Sequence, residues 1–359
     1  MYARTQNDLE VGNIVSRKEV AELSGVSEAT VSRVLNAVGP IKEDTRRRVL
    51  DAANQLGYVP SALARNFARS KSGHLGVVMP YVPKAHLFSA YFFSEMLSGI
   101  GNKARDSGLD LLLLFRKPGE RIDYSSLFRQ QRIDTCIILG ARDDHDEEEA
   151  LKRLQEEGRP FCVMNHHFEG QSFCEVDADH VEGSRAAVSH LIEQGYKRIA
   201  FLNGPDIYSN STERLKGYRN ALQEAGIEYD HDLLLEGNYS RRSGLEASAT
   251  IADKLNDIDA VFAANDRMAL GVMQGLRERG LAADRFPAFV GYDDSDAAEM
   301  AVPPLSSVRV PFYEMGELAA SKLIPDSLNL IPALELTGRD SIRELLSTEL
   351  IIRASSIRP

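Results

Sequence analysis

Cysteine is scarce in this sequence, and its three copies follow none of the spacings that hold a metal or build a disulfide framework. Cys136 and Cys162 lie in the apolar runs "TCIILG" and "FCVMN", and Cys174 follows a few residues later. An odd count without a CxxC pair argues against both kinds of site, and a cysteine in an apolar run is typical of a small buried side chain. The sequence therefore predicts no metal ion, no cofactor and a reducing compartment.

Long apolar runs are also missing. No stretch reaches the roughly 18 apolar residues that a membrane-spanning helix needs, and the first residues, "MYARTQNDLE", lack the apolar segment of a signal peptide. We therefore expect a cytoplasmic protein without a membrane partner. The sequence also contains neither a GxSxG motif nor another spacing that supports a nucleophilic triad, so no catalytic residue is predicted and we do not expect an enzyme.

The chain also has no excess of positive charge. Its net charge is −11, and that total alone argues against nucleic-acid binding. The distribution is uneven. Residues 33–72 contain eight Lys or Arg and three Asp or Glu, a net charge of +5, which leaves −16 for the rest. A basic N-terminal part on an acidic body is typical of a small nucleic-acid-binding module. The alternative is a chance cluster on solvated helices.

The basic part begins with helix signals. In "SRKEVAELSG", Ser16 and Glu19 form a capping-box pattern and Gly25 predicts the helix end. Ser27 begins a second helix, "SEATVSRVLNA", after a three-residue turn, which predicts a helix-turn-helix. A third helix, "EDTRRRVLDAANQLG", follows, and "YVPSALARNFARSKSG" has the composition of a linker with some helix propensity.

From residue 74 the pattern becomes one of apolar strands alternating with amphipathic helices. The predicted strands are "LGVVMP", "LDLLLLF", "TCIILG", "PFCVMN", "RIAFLNG", "AVFAAND" and "FPAFVGYDD". Such alternation predicts βαβ units and parallel sheets. Polar residues follow several strands, among them Asn165, Asn203, Asn265 and Asp293. Because open α/β sheets bind ligands beyond the carboxyl ends of their strands, these residues predict a ligand site.

These motifs together resemble the lac repressor family of bacterial transcription regulators over nearly the whole chain. The headpiece resemblance rests on "VAELSGVSEATVSRVLN" and "TRRRVLDAANQLGYVPSALAR". The rest follows in the family's order as "LGVVMP", "GYKRIAF", "ERLKGYRNAL", "FAANDRMALG", "VGYDD", "PPLSSVR" and "ELLSTELIIR". The resemblance implies an all-α helix-turn-helix headpiece and an α/β two-lobed, periplasmic-binding-protein-like domain with parallel sheets.

The resemblance also implies domain boundaries. The DNA-binding headpiece takes residues 13–59, a hinge helix and linker take 60–73, and the effector-binding and dimerisation domain takes 74–359. Within that domain the first lobe takes about 74–177 and 309–338, and the second takes about 178–308 and 339–359. The C-terminal end, "RASSIRP", has no trailing leucine heptad, so we expect a homodimer rather than a tetramer.

By resemblance, the second helix is the recognition helix of the headpiece, whose first turns enter the major groove. Arg33 can donate two hydrogen bonds to guanine, or it contacts a phosphate instead. Ala29 offers a methyl group to thymine, and Glu28 accepts from cytosine or points to solvent. The DNA-contacting residues of the headpiece are predicted to be Ser16, Glu28, Ala29, Thr30, Ser32, Arg33 and Asn36.

The hinge helix of the family enters the minor groove, where a leucine is wedged into the central base step. Phe67 stands at that leucine position, and Ala64 is small enough to approach the groove. The alternative is that Phe67 packs under the core domain. Lys42 is a second departure, since the family usually caps its third helix with serine there; the missing cap should cost about 1 kcal/mol.

The ligand residues of the family carry over to matching motifs. They are Phe92, Phe93, Asn165, Arg214, Tyr239, Asn265 and Asp293. Carboxylate, guanidinium, amide and aromatic groups together suit a sugar. The alternatives are that Arg214 and Asp293 pair with each other in an empty cleft and that Phe92 belongs to the core. His166 and His167 would face opposite sides of a strand, so a shared metal is not expected.

The resemblance predicts a sequence-specific repressor of carbohydrate-utilisation genes. It would bind a pseudo-palindromic double-stranded operator as a dimer and respond to a small-molecule effector, a sugar, between its lobes. The competing hypothesis is a cytoplasmic sugar-binding protein or enzyme with a non-functional headpiece.

Overall fold

The computed structural model describes residues 15–36, 39–59, 71–80, 90–117, 120, 122–324 and 343–358. The chain divides into two compact units, Met1–Ser72 and Gly73–Pro359. The expected hinge segment, with Ala64 and Phe67, falls largely outside the described residues.

The first unit contains three helices, α1 (Arg17–Ser24), α2 (Glu28–Leu35) and α3 (Glu43–Leu56). The predicted capping box is present, with Ser16 and Glu19 bonded to each other's backbone. Gly25 ends α1 with a φ of 67°, a left-handed conformation that glycine adopts without strain. Lys42 makes no side-chain capping bond to α3, as its departure from serine predicts. Small apolar side chains fill the core between the helices: Val20, Ala21, Val31, Val34, Val49, Ala52 and Ala53.

The second unit contains two six-stranded sheets. The first has the order β11-β5-β4-β3-β1-β2 and is parallel throughout. Its strands are β1 (His74–Pro80), β2 (Asp110–Arg116), β3 (Thr135–Leu139), β4 (Phe161–Met164), β5 (Glu175–Ala178) and β11 (Arg343–Leu346). Its helices are α4 (Tyr91–Asp106), α5 (Tyr124–Arg129), α6 (His145–Glu156) and α12 (Phe312–Leu323).

The second sheet has the order β12-β10-β9-β8-β6-β7, and only the β10–β12 pair is antiparallel. Its strands are β6 (Ile199–Asn203), β7 (Leu234–Glu236), β8 (Ala260–Ala263), β9 (Ala288–Asp293), β10 (Ser306–Arg309) and β12 (Glu349–Ile351). Its helices are α7 (His180–Glu193), α8 (Ser209–Glu224), α9 (Arg241–Asp253), α10 (Asp266–Glu278) and α11 (Asp296–Glu299). The predicted fold class is confirmed by these parallel sheets and by the three-helix unit.

Strand β11 lies in the first lobe, whereas the resemblance assigned its residues to the second lobe. We placed 339–359 in the second lobe, yet β11 pairs with β5 of the first sheet in the register Arg343↔Glu175. The physical reason is a buried charge, because Arg343 donates a 2.6 Å hydrogen bond to the carboxylate of Asp177 on β5. The chain therefore crosses between the sheets after β11, and β12 completes the second sheet.

Among the described residues, no helix is long and apolar enough to cross a membrane.

Two helices of the first lobe approach so closely that their contact requires glycine. A Cβ added to Gly99 of α4 would lie 2.0 Å from the carbonyl oxygen of Tyr313 at the start of α12. A Cβ added to Gly316 of α12 would lie 2.3 Å from the carbonyl oxygen of Met96. Gly101 is on the same helix as Gly99, but its added Cβ would make an ordinary 3.4 Å contact with the Leu111 side chain.

We predict that Gly99→Ala lowers the free energy of unfolding by about 1–3 kcal/mol, because the two backbones must separate. Gly101→Ala is the matched control and should leave stability unchanged or raise it by up to about 1 kcal/mol, the difference in helix propensity between the two residues. Urea denaturation followed by circular dichroism measures both. Equal effects of the two substitutions would contradict the predicted close approach.

Candidate functional site

Helix α2, for which the resemblance predicts the role of recognition helix, presents an exposed face. Glu28, Ala29 and Arg33 are exposed, whereas Val31 and Val34 on the opposite side are buried in the core of the first unit. Neither Glu28 nor Arg33 forms a hydrogen bond or ion pair with the described part of the chain. A guanidinium without an intramolecular partner is available for a guanine edge or a phosphate.

The smaller polar residues of this unit are engaged in local hydrogen bonds. The Ser27 hydroxyl accepts a 3.2 Å bond from the Thr30 backbone N–H, which caps α2. The Asn36 side chain donates a 2.8 Å bond to the Ser32 carbonyl, and Ser16 is held in its capping box. These bonds fix the ends of the two helices. Thr30, Ser32 and Asn36 are half-buried, and Ser16 is exposed.

In the second unit, the polar cleft residues gather at the carboxyl ends of the strands. Arg214 on α8 is 3% exposed, and its guanidinium carbon lies 4.1 Å from the centre of the Tyr292 ring. A guanidinium over an aromatic face is stabilised by the ring quadrupole. The Arg214 guanidinium also donates a 3.3 Å hydrogen bond to the Tyr239 hydroxyl.

Tyr239 connects several of the predicted ligand residues. Its hydroxyl lies 2.5 Å from the Ser211 hydroxyl and donates a 2.7 Å bond to Oδ1 of Asn210. The Asn210 amide in turn donates to the Asn165 carbonyl oxygen at 3.3 Å. Asn165, Arg214 and Tyr239 are therefore linked through Asn210, a residue that the sequence analysis missed because it lies inside a helix with no motif around it.

Asn265 stabilises the local backbone through two hydrogen bonds. Its Oδ1 accepts from the Met268 backbone N–H at 2.9 Å and caps α10, while its amide donates to the Tyr239 carbonyl at 3.0 Å. These two bonds hold the loop that carries Tyr239. Both side-chain atoms of Asn265 already have partners.

The predicted aromatic residues of the first lobe pack against one another. Phe92 contacts Phe93 and Phe312 edge to face, with ring centres 4.7 and 5.2 Å apart. Both rings are half-buried against the core cluster, so the core alternative accounts for the observed contacts of Phe92. The neighbouring Tyr91 was missed; burial, and then the carboxylates of Glu95 and Asp294, raise the pKa of its phenol.

Asp293 is the last residue of β9, where a turn of unusual backbone conformation begins. Its φ is 102°, and that of Asp294 is 54°. Arg309 and Arg353 bind Asp294, at 2.8 and 2.7 Å. The described residues supply no hydrogen bond or ion pair to the Asp293 carboxyl, so the alternative pairing with Arg214 is not formed. Burial, and then the nearby carboxyl of Asp266, raise the pKa of Asp293 well above its usual value.

Asp266, the first residue of α10, is a second buried carboxyl beside this turn; it directly follows Asn265 but is not among the ligand residues that the resemblance predicts. It accepts hydrogen bonds from the Ser307 hydroxyl at 2.6 Å and from the Ser295 N–H and hydroxyl at 2.7 and 2.8 Å. Burial raises its pKa to about 7 against the opposing effect of these bonds. The cleft thus contains two carboxyl groups, Asp266 and Asp293, whose ionised forms are destabilised by burial.

A buried histidine joins the cleft to the other lobe. Nε2 of His180 lies 2.9 Å from Oδ1 of Asn165, and its Nδ1 lies 3.1 Å from the Tyr292 hydroxyl. Burial, and then the charge of Arg214, lower the pKa of His180. The neutral ring can therefore donate from Nε2 to Asn165 and accept from Tyr292.

Next to His180, a charge cluster spans the two lobes. Arg343 of the first sheet hydrogen-bonds Asp177 on β5 and Glu213 on α8 of the second lobe. Burial alone would raise the pKa of Asp177, but His180 and Arg343 lower it to about 2. We call Asp177, Arg343 and Glu213 the crossover cluster.

His166 and His167 hold the beginning of α8. The Ser209 N–H donates to Nδ1 of His166 at 3.3 Å, and the His167 N–H donates to the Ser209 hydroxyl at 2.9 Å. Burial lowers the pKa of His166 to about 4, so its ring is neutral. Across the described ranges, no group of three or more His, Cys, Asp or Glu could hold a metal ion.

Two protein-family models match the chain. Residues 17–61 match the bacterial regulatory proteins of the lacI family, and residues 188–356 match a periplasmic binding protein-like domain. The HTH-type transcriptional regulator CelR of Thermobifida fusca is 33% identical over 341 residues, which are 94% of this chain and 96% of CelR. This relative is a transcription regulator, not an enzyme.

Solved structures are similar over almost the full length. A complex of the transcriptional regulator CelR with cellobiose has a TM-score of 0.67 at 32% identity and covers 95% of this chain and 99% of that one. A lac repressor dimer bound to operator and an anti-inducer has a TM-score of 0.80 at 24% identity, with 96% and 99% covered. At that identity the second likeness concerns the fold alone.

The raised pKa of Asp266 predicts a pH-dependent stability. A carboxyl whose pKa is higher in the folded than in the unfolded protein stabilises the fold below about pH 4, and this contribution is lost as the pH rises to about 7. Asp266→Asn keeps the shape and stays neutral. We expect its free energy of unfolding to change less between pH 4 and pH 7 than that of the wild type, by as much as a few kcal/mol.

Chemical denaturation at several pH values measures this difference. Asp296→Asn, at the exposed first residue of α11, is the control and should follow the wild-type profile. Parallel profiles for wild type and Asp266→Asn would mean that Asp266 titrates normally in the folded protein.

Proposed function

This chain belongs to the lacI family of bacterial regulatory proteins and is a DNA-binding transcription regulator, and from that membership we propose that it represses carbohydrate-utilisation genes in the cytoplasm. In this proposal it binds a pseudo-palindromic operator as a homodimer. A sugar bound between the lobes of its second unit changes its affinity for the operator.

The DNA-binding part of the proposal is supported by the exposed guanidinium of Arg33, which has no partner in the described part of the chain. It projects from a helix whose start is capped by Ser27 and whose other face is buried, so the side chain is presented on a rigid element. Two hydrogen bonds to guanine from such a position discriminate between base pairs by about 1–3 kcal/mol. Ala29 and Glu28 lie one helical turn before Arg33 and would meet neighbouring bases.

The small size of the recognition helix supports the proposed homodimer, because one short helix reaches only a few bases. α2 has eight residues, of which only a few can reach base edges, and one such contact set gives little discrimination. Two copies related by two-fold symmetry double the contacts and require half-sites about one helical turn apart. The operator would then be a pseudo-palindrome.

The cleft chemistry supports a sugar as effector. Asp293 offers a carboxyl with no partner in the described chain, Arg214 offers a guanidinium, and Tyr239 offers an aromatic hydroxyl. Hydroxyl groups of a sugar can donate to the carboxyl and accept from the guanidinium. The cellobiose complex of the related CelR agrees with a sugar of this kind. A sugar-binding protein with a non-functional headpiece remains the competing function, and it requires that the capped, exposed α2 bind no specific DNA.

Selection of bound sequences from a random DNA pool at fixed salt, with and without a panel of sugars, tests the proposal. We expect an enriched palindrome whose recovery is changed by one sugar. A sugar that binds the protein while no sequence is enriched would favour the competing function.

We predict that Arg33→Lys relaxes specificity at one base pair in each half-site by about 1–3 kcal/mol, because lysine keeps the charge but loses the two-pronged donor. Binding titrations with the selected operator and its single-base variants measure this. If Arg33 contacts a phosphate instead, Arg33→Lys should keep full specificity and Arg33→Ala should weaken all sequences equally.

We predict that Asp293→Asn weakens binding of the active sugar about tenfold, the value of one hydrogen bond. Asparagine tolerates the positive φ of this position, so the turn should persist. Calorimetric titration measures the affinity, with Asp296→Asn as the control. Unchanged affinity would remove Asp293 from the proposed site.

A further inference from the structure

Two cysteines face each other across neighbouring strands of the first sheet. β4 and β5 pair in parallel with Val163 opposite Glu175, and the Val163 N–H donates to the Cys174 carbonyl at 2.9 Å. One residue earlier on each strand, the same register sets Cys162 opposite Cys174. Neighbouring strands are about 5 Å apart, which lies within the Cα separation of about 4.4–6.8 Å that a disulfide spans.

Both thiols point to the same side of the sheet. Cys162 belongs to the large core cluster, and Cys174 packs against it. The alternate residues Phe161, Val163 and Phe173 belong to the cluster on the other side. The register of the two strands and the shared core cluster therefore place the two thiols side by side on one face of the sheet.

The two thiols differ in acidity and in exposure. The neighbouring thiol of Cys162, and then the ammonium group of Lys322, lower the pKa of Cys174 against the effect of burial. The neighbouring thiol of Cys174, and then burial, raise the pKa of Cys162. Cys174 is half-buried and Cys162 is buried. Cys174 is therefore the thiol that an oxidant reaches and that ionises first.

We propose that Cys174 and Cys162 form an oxidation site at which a hydroperoxide produces an intrachain disulfide. The Cys174 thiolate attacks the peroxide oxygen, forms a sulfenic acid and releases hydroxide, which takes up a proton to become water. Cys162 then loses its proton, attacks the sulfenic sulfur and displaces a second hydroxide, which becomes water. In sum, two thiols lose two electrons and two protons while one hydrogen peroxide becomes two waters.

A thiol such as dithiothreitol can reduce this disulfide by exchange, so the oxidation is reversible. β4 leads into Asn165 and β5 contains Asp177, so the bond would join the two strands that carry these residues. The proposal depends only on the geometry of the first lobe and not on the proposed sugar.

Peptide mapping of the full chain after hydrogen peroxide treatment tests the site. Free thiols are alkylated, and the protein is cut with a glutamate-specific protease under non-reducing conditions. Cleavage after Glu169 separates Cys162 from Cys174, so the two peptides stay together only through a disulfide. We expect this joined pair, with loss of two of the three thiols and full recovery after dithiothreitol.

Substitutions of single cysteines distinguish a disulfide between Cys162 and Cys174 from non-specific oxidation of thiols. Cys136 lies fully buried on the other side of the sheet, where burial raises its pKa to about 12. Cys136→Ser should therefore still form the joined peptides, whereas Cys174→Ser should form none. Retention of all three thiols in the wild type, or a disulfide that includes Cys136 or joins two chains, would overturn the proposal. Because the decisive result comes from the wild-type chain, a variant that fails to fold does not affect it.

Discussion

The buried carboxylate of Asp177 is the charge on which the arrangement of the two lobes depends. A carboxylate without solvent is strongly destabilising unless opposite charge and hydrogen bonds surround it. One partner is distant in sequence, Arg343 of the crossover cluster on β11, and two are close to Asp177, namely His180 at the start of α7 and the backbone N–H of Ala178. The chain path after β11, which the resemblance assigned to the wrong lobe, follows from this requirement.

The same cluster connects to the cleft through one helix. Glu213 and Arg214 are adjacent on α8, yet they serve different lobes: Glu213 hydrogen-bonds Arg343 of the first sheet, whereas Arg214 lies on the Tyr292 ring in the second lobe. His166 and His167 hold the start of this helix from the first lobe. A ligand that binds Arg214 therefore acts on a helix whose other contacts cross between the lobes, which gives the proposed effector a direct mechanical connection to lobe movement.

The parts of the molecule that the sequence predicts are those encoded locally. The Ser16–Glu19 capping box, Gly25 and the apolar strands each follow from a few adjacent residues, and the structure contains them. β5 and β11 were missed because "EVDA" and "RELL" are short strands in which half of the residues are charged; those of β5 are buried and those of β11 are half-buried. The Arg343–Asp177 bond joins residues 166 positions apart, and the partners of Asp266 come from two other segments. A local sequence pattern contains no information on contacts between distant residues. The hydrogen-bond network around the predicted ligand residues could therefore be found only in the structure.

The turn at the end of β9 leaves the Asp293 carboxyl without a partner in the described chain, and its backbone conformation is energetically costly. Two consecutive aspartates have positive φ angles, a conformation that costs up to about 1–3 kcal/mol per residue unless its surroundings hold it. Arg309 and Arg353 hold the Asp294 carboxylate, and the Ser307 hydroxyl accepts from its N–H. Because these contacts to Asp294 hold the turn, Asp293 can keep its strained backbone without a side-chain partner among the described residues. Its carboxyl, with a pKa raised by burial and by Asp266, is then most strongly stabilised when a ligand supplies the missing hydrogen bonds.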